Sequence, residues 1–295
     1  MPGASVDHEH KRLICSQSWL QDFQRCPERA RNELLHPTWE HTSETAIGTA
    51  LHLFMELRLL GGTFPTAVEE STNWMLGIVE SSDQPLPSKL EEGYGATPSG
   101  DWPPETGHRP TYRATMGKDT MVRHLAACIG GFDRHVVPQV PGGGHVETKV
   151  KADLAHDDGW TIVLEGRPDY VDLFDRVWDW KTAASAYNIS ETTRWAIQPT
   201  AYTYLASQVF ATHCTEFTFA VGVKPHGLIQ FIDLERHPED WQWLARIARG
   251  ALGLTRSLLH TEWPVNHGHW LCSEKWCPHW DGCRGKYIHE GSTEQ

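Results

Sequence analysis

The sequence predicts an α/β fold, a sheet flanked by helices. Three observations carry that prediction. Residues 16–60, 112–138, 191–212 and 240–259 read as helical. Short β-rich runs fall between them, at 146–153, 160–164, 216–223 and 228–234. Strands interleaved with helices in this way build a helix-covered sheet. The third observation is a hairpin, with β-rich runs at 170–174 and 177–182 on either side of Asp175-Arg176.

Taken in order, residues 1–15 read as a flexible leader, polar and acidic, without the apolar core of a signal peptide. The helical start at 16–60 carries Cys26 and His52. Residues 81–110 are rich in Pro and Gly and predict a long loop. The helix at 112–138 ends before Pro138, and Pro141-Gly-Gly-Gly144 breaks the chain ahead of a strand of alternating polarity at 146–153. The strand at 160–164 leads into the hairpin. The helix at 191–212 carries Gln198 and Tyr202, with Pro199 near its first turns. A strand pair at 216–223 and 228–234 and a helix at 240–259 complete the order. Residues 16–289 are read as one domain and 290–295 as a tail. There is no internal repeat, and a chain of 295 residues is long enough to bury one large core.

Composition narrows the function. With 38 Asp+Glu against 26 Lys+Arg, the net charge is −12, which excludes broad electrostatic coating of duplex DNA. It is compatible with a local groove for a strand end, or with DNA affinity supplied by a partner. No apolar run approaches the roughly 18 residues of a membrane span, and the chain is expected in the cytoplasm, bacterial or that of a phage-infected host. The 14 Trp residues are assigned mostly to packing, with stacking on single-stranded bases as the alternative.

The chemistry concentrates in 166–181, Gly-Arg-Pro-Asp-Tyr-Val-Asp-Leu-Phe-Asp-Arg-Val-Trp-Asp-Trp-Lys. Side chains alternate along a strand, so Asp179 and Lys181 share a face, and the hairpin returns Asp169 beside them. Phosphodiester hydrolysis builds negative charge on phosphate oxygens. A hard divalent cation offsets that charge and acidifies a bound water. Mg²⁺ is usually held by one or two carboxylates with waters and substrate phosphate, a need that Asp169 and Asp179 meet. Lys181 can hold the scissile phosphate or the attacking hydroxide as a point charge. The bland alternative is a solvated hairpin face.

Further signals surround this core. His52, in Gly48-Thr49-Ala50-Leu51-His52 on a helical run, offers a nitrogen ligand suited to Mn²⁺, although a lone histidine is more often a satisfied helix residue. Gln198 and Tyr202 stand four apart and project from one helix face, so both could reach one phosphate or metal-bound water. Glu147, on the strand at 146–153, could add a metal-binding or orienting carboxylate, but is read first as a surface salt-bridge partner and is left out of the ligand set.

Seven cysteines are present. Cys272, Cys277 and Cys283 cluster near the C-terminal end, and clustered cysteines in a reducing compartment read as metal ligands. Cys26, before Pro27, is the best fourth ligand. Four thiolates suit Zn²⁺ or a [4Fe–4S] cluster, and the neighbouring His267, His269 and His279 keep zinc open. Cys128 and Cys214 are read as small buried residues; Cys15 is undecided.

These motifs, in the order Ser18…Phe23…Cys26-Pro27, Gly48-Thr49-x-x-His52, Gly166-Arg-Pro-Asp169, Asp179-Trp-Lys181, Gln198-x-x-x-Tyr202 and three C-terminal cysteines, resemble the RecB-like branch of the PD-(D/E)XK nuclease superfamily. The chain is most similar to the iron–sulfur exonucleases of that branch, which include CRISPR-associated RecB-like exonucleases, the AddB nuclease domain and phage homologues. The resemblance implies a restriction-endonuclease-like mixed central sheet flanked by helices, with helical N- and C-terminal parts joined by a metal cluster. It implies a Mg²⁺- or Mn²⁺-dependent deoxyribonuclease, an exonuclease acting on single-stranded DNA ends in recombination, repair or phage DNA processing. It implies metal binding by His52, Asp169, Asp179 and the Trp180 backbone carbonyl, catalytic roles for Asp169, Asp179, Lys181, Gln198 and Tyr202, and a [4Fe–4S] cluster on Cys26, Cys272, Cys277 and Cys283. The chain departs from the family in the four residues between Cys272 and Cys277, where two are common, and in using Asp179 where many relatives carry Glu. The alternatives are a non-catalytic DNA-end-binding or scaffold module of the same fold, or an endonuclease working with a separate helicase or recombination partner. No Gly-x-x-x-x-Gly-Lys-Ser/Thr motor motif occurs in the sequence.

Overall fold

The computed structural model describes residues 3–36, 40–80, 111–210, 213–259, 261–269, 271–274 and 276–284. The loop expected at 81–110 and the tail at 290–295 lie outside the described residues. The chain forms two compact units. The first holds 39–151 and 166–241, the second 2–38, 152–165 and 242–295.

In the first unit, β5 (His145–Val146), β8 (Tyr170–Val171), β9 (Arg176–Ala183), β10 (Glu216–Val223) and β11 (Leu228–Glu235) form one sheet. Their order is β11-β10-β9-β8-β5. β9 and β10 run parallel, with Asp179 opposite Phe219 and Lys181 opposite Val221; the other pairings are antiparallel. The sheet is therefore mixed, as expected. A parallel pair needs a crossover, and α6 (Ile189–Trp195) and α7 (Ile197–Val209) lie within it. A small two-stranded pair, β3 (Glu40–Thr42) with β4 (Thr111–Arg113), completes the strands of this unit.

Pleating sends Asp179 and Lys181 to one face of β9 and Trp178 and Trp180 to the other. The two tryptophans join the core of α3 (Ser43–Leu59), α4 (Phe64–Glu80) and α5 (Lys118–His135). α3 starts at a capping box, in which the Thr42 side chain accepts from Thr45 N and the Thr45 hydroxyl accepts from Thr42 N at 2.8 Å. Its buried residues Ala46, Ile47, Ala50, Leu51, Phe54 and Met55 recur at helical spacing. α7 packs on β9 and β10.

Three sequence expectations shift here. The single helix at 191–212 is two helices, broken at Ala196, whose backbone is extended. A proline ring collides with the carbonyl four residues back, so Pro199 forbids a helix running through Trp195, yet it fits the first turn of α7. The strand at 146–153 is also divided, into β5 and β6 (Val150–Asp157). Glu147 stands between them in the left-handed region, with φ of 44°. The hairpin turn is longer than Asp175-Arg176. Asp172 Oδ1 accepts from Phe174 N and Arg176 N, and Asp175 takes a left-handed φ of 66°.

Gly166 opens the Gly-Arg-Pro-Asp motif for a packing reason. A Cβ there would lie 2.8 Å from Tyr202 Cε1 and 2.9 Å from Leu205 Cδ1. Gly166→Ala should therefore displace the Tyr202 ring and cost about 1–3 kcal/mol, as overpacking does. Denaturant unfolding of the variant measures that loss, and an unchanged midpoint would show that α7 yields freely.

In the second unit, β1 (Ala4–Asp7), β2 (Arg12–Ser16), β7 (Trp160–Gly166) and β6 form a sheet in the order β1-β2-β7-β6. Strands at 4–7 and 12–16 replace the flexible leader expected at 1–15. The physical reason is alternation, since Leu13 and Cys15 are fully buried and flank the half-exposed Ile14. Asp158 and Gly159, both at positive φ, turn β6 into β7. α1 (Gln17–Arg25) is capped by Ser16, whose hydroxyl accepts from Trp19 N at 3.2 Å. Trp19 Nε1 donates to Ala30 O at 2.8 Å, tying α1 to α2 (Pro27–Leu35). α8 (Pro238–Leu258) contributes most of its length here. Trp19, Trp178, Trp180 and Trp263 are buried, and Trp243 and Trp276 are partly exposed.

Candidate active site

The first unit brings His52, Asp169, Asp179, Trp180, Lys181, Gln198 and Tyr202 together. His52 projects from α3, and its Nε2 donates to Trp180 O at 2.8 Å. Its Nδ1 lies 3.3 Å from Asp169 Oδ1 and 3.4 Å from Glu147 Oε1. Asp169 precedes β8 and accepts from Trp180 N at 2.6 Å, which locks the motif aspartate to the strand that carries Asp179. Asp179 is fully buried. Its Oδ1 accepts from Gln198 Nε2 at 2.6 Å, and Lys181 Nζ lies 2.6 Å from Oδ2. Lys181 also sits 6.0 Å from the centre of the Phe219 ring. Tyr202, one turn beyond Gln198 on α7, is buried beside them.

The electrostatics are those of carboxylates crowded out of water. Burial raises the Asp179 carboxyl to about 7, with Asp169 adding and Lys181 opposing. Burial also raises Glu147, against the pull of His52. His52 itself is held well above its usual value; burial works against the charged ring, but Asp169 and Glu147 outweigh it. Lys181 is likewise raised, as Asp179 and Asp169 overcome its desolvation. Burial, with Asp179 and Asp169, raises the Tyr202 hydroxyl.

Glu147 is the residue whose two sequence readings were ranked the wrong way round. It is not a surface salt-bridge partner but part of a triad with His52 and Asp169, whose ligand atoms all lie within 4.8 Å of one another. The left-handed backbone at Glu147 aims it there, a conformation that costs about 1–3 kcal/mol in a residue of this kind and clusters at functional sites. Its N–H donates to Asp169 O at 3.0 Å. Nothing in the sequence marks a strand break at a glutamate. Two more residues were missed. Glu56 lies one turn beyond His52, with its carboxyl raised to about 7 by burial and Glu147. Tyr187 is held by Gln230, which accepts from its N–H at 2.7 Å, and stands in the field of Lys181 and Asp179.

The donor set fits a hard divalent cation. One imidazole and two carboxylates converge within 4.8 Å, and Asp179 stands beside them with its Oδ2 ion-paired to Lys181. Bringing like charges this close is unfavourable without a counter-ion. Glu147→Gln should therefore weaken Mn²⁺ binding about ten- to a hundredfold, read by calorimetric titration. Undiminished affinity would leave Glu147 with a purely structural role.

The cysteines divide as their surroundings dictate. In the second unit, Cys26, Cys272, Cys277 and Cys283 line one cavity with Arg25, Arg29, His269 and His279. Cys26 lies at the junction of α1 and α2, and Pro27 occupies the first position of α2. Cys277 lies in the field of Cys26 and Cys272, and Cys283 in that of Cys26 and Cys277, a donor set that suits a thiolate-bound centre. Cys15, Cys128 and Cys214 are fully buried, and burial raises their thiols to about 12, about 11 and about 12. A thiolate ligand is disfavoured in such surroundings.

A mixed sheet with Asp179 and Lys181 on β9, beside Asp169 and a helix-borne histidine, fits a nuclease-type fold. The model of the PD-(D/E)XK nuclease superfamily matches residues 15–284, and the chain belongs to that superfamily. A solved structure from Eubacterium rectale, named as a candidate exonuclease, aligns at 9% identity and a TM-score of 0.50. It covers 87% of this chain and 86% of its own, and shows the fold. A second solved structure, of SSO0001, aligns at 15% identity over 57% of this chain and 69% of its own, with a TM-score of 0.35. No curated protein matches the chain.

Proposed function

We propose that this chain is a Mg²⁺- or Mn²⁺-dependent DNA exonuclease of the RecB-like iron–sulfur branch. One observation carries the reading. His52, Glu147 and Asp169 converge within 4.8 Å, next to the Asp179–Lys181 pair on β9. His52, Asp169, Asp179 and the Trp180 carbonyl hold the cation, with Glu147 added to the set. The cation supplies charge offset for the phosphate and an acidified water.

The chain's own residues do the remainder. Lys181, kept charged by its two aspartates, neutralises the scissile phosphate or the attacking oxygen. Gln198 holds Asp179 in place through its 2.6 Å bond. Tyr202 stays a neutral hydroxyl and can donate to a phosphate oxygen. The preferred substrate is a single-stranded DNA end, in repair, recombination or phage DNA processing, with a helicase as a possible partner on another chain. Cys26, Cys272, Cys277 and Cys283 hold a [4Fe–4S] cluster. A zinc staple is the second reading, favoured by His269 and His279 in the same cavity.

End-labelled single and double strands, incubated with Mg²⁺ or Mn²⁺ and with EDTA, test the proposal. The expected result is mononucleotide or short-oligonucleotide release from single-stranded ends, dependent on either metal and stopped by EDTA. Cleavage of a circular single strand at the rate of a linear one would instead make the protein an endonuclease.

A further inference from the structure

One row of residues crosses the catalytic face of the sheet from β9 to β11. Lys181 stands opposite Val221, and Val221 opposite Gln230, so the three share a face. Ile229 and Phe231, on either side of Gln230, pack into the core with Trp178 and Trp180 behind the sheet. Gln230 therefore faces the side of Asp179 and Lys181. Phe219, opposite Asp179, belongs to the same face.

Gln230 uses both ends of its amide on one residue. Its Oε1 accepts from Tyr187 N at 2.7 Å, and its Nε2 donates to Tyr187 O at 3.1 Å. The next residue, Asn188, caps α6 by accepting from Glu191 N at 3.3 Å. Tyr187 is thus held from both sides, and it is half-buried in a run, 184–190, whose other members are exposed. Its ring meets the Phe219 ring edge-on, with centres 6.5 Å apart and planes at 72°. Lys181 Nζ lies 6.0 Å from the centre of that same Phe219 ring. Tyr187 and Lys181 therefore flank one aromatic side chain on the catalytic face. The Tyr187 hydroxyl has no protein partner among the described residues. Burial raises it, so it stays a neutral donor.

We propose that Tyr187 is a substrate-contacting residue whose hydroxyl donates to the phosphodiester backbone of the strand end held beside Lys181, and that Gln230 is its positioning residue. Lys181 supplies a point charge and Tyr187 a directed donor. Gln230 fixes where the tyrosine ring emerges by gripping its backbone. The inference rests on the nuclease reading above, to which it adds a strand contact from outside the metal-binding set.

Steady-state cleavage of an end-labelled single-stranded oligonucleotide in Mg²⁺ tests it, beside Mn²⁺ titration and thermal melting of each protein. Tyr187→Phe keeps the ring and removes the hydroxyl. It should lower kcat/KM about tenfold, the scale of one hydrogen bond to a charged group, with Mn²⁺ affinity and melting temperature as in the parent. Gln230→Leu should lower kcat/KM in the same direction, and the double variant should be no worse than Tyr187→Phe, since both changes remove one contact. If the parent cleaves DNA and Tyr187→Phe matches it, the contact is wrong and the nuclease reading stands. If Tyr187→Phe matches the parent while Tyr187→Ala loses activity, the ring stacks on a base and the hydroxyl contact is overturned. Losses that multiply in the double variant would remove Gln230 from its positioning role. If the parent neither binds nor cleaves DNA, both readings fail.

Discussion

Lys181→Ala and Asp179→Asn should each lose about 10²–10³ or more in cleavage rate. Asp179 is fully buried between Gln198 and Lys181. Asparagine keeps its volume and its bond to Gln198 but removes a negative charge, so the fold should persist while the cation loses a ligand. Removing Lys181 leaves the Asp179 carboxyl, already raised to about 7 by burial, free to take up a proton. That relief limits the structural cost, and the loss then reports chemistry. Single-turnover cleavage and thermal melting, measured together, separate the two effects. Parent-like rates in either variant would move the catalytic centre away from β9.

Cys26→Ser is expected to have the second-largest effect, on folding rather than chemistry. Cys26 lies between α1 and α2, and the other three cysteines of its cavity come from 272–283. A shared inorganic centre closes a very long loop, where a crosslink constrains the unfolded chain most. Releasing one ligand should destabilise the protein by about 3–5 kcal/mol, the scale of a long-loop crosslink, and should lower its iron content. Cys128→Ala and Cys214→Ala should leave the iron unchanged. A colourless, anaerobically purified parent with one zinc and no iron would replace the cluster with a zinc staple and leave the nuclease reading intact. Full iron loading in Cys26→Ser would move the fourth ligand elsewhere; Cys15, buried in β2, is a poor replacement.

Much of the sheet was legible because its strands announce themselves locally. The runs at 216–223 and 228–234 match β10 and β11 to within a residue. The motif around Asp169 and Asp179 was legible because a hairpin with alternating faces needs only local pattern. The misses have different causes, one distant in sequence and two local. Strands β1 and β2 form because β2 pairs with β7, some 150 residues later. The break at Ala196 follows from a single steric clash by Pro199. The break at Glu147 follows from a left-handed backbone that no glycine, asparagine or aspartate signals. Glu147 was thus ranked first as a surface residue, with a metal-binding or orienting role second, while its neighbours on the site were found.

The central claim is that His52, Glu147, Asp169 and Asp179 hold one catalytic cation. Calorimetric titration of EDTA-stripped protein with Mn²⁺, beside the Asp169→Ala variant, tests it most directly. The expected result is saturable binding in the parent, lost in the variant together with cleavage. Equal Mn²⁺ binding by both proteins, or full cleavage by the stripped parent without added metal, would contradict it.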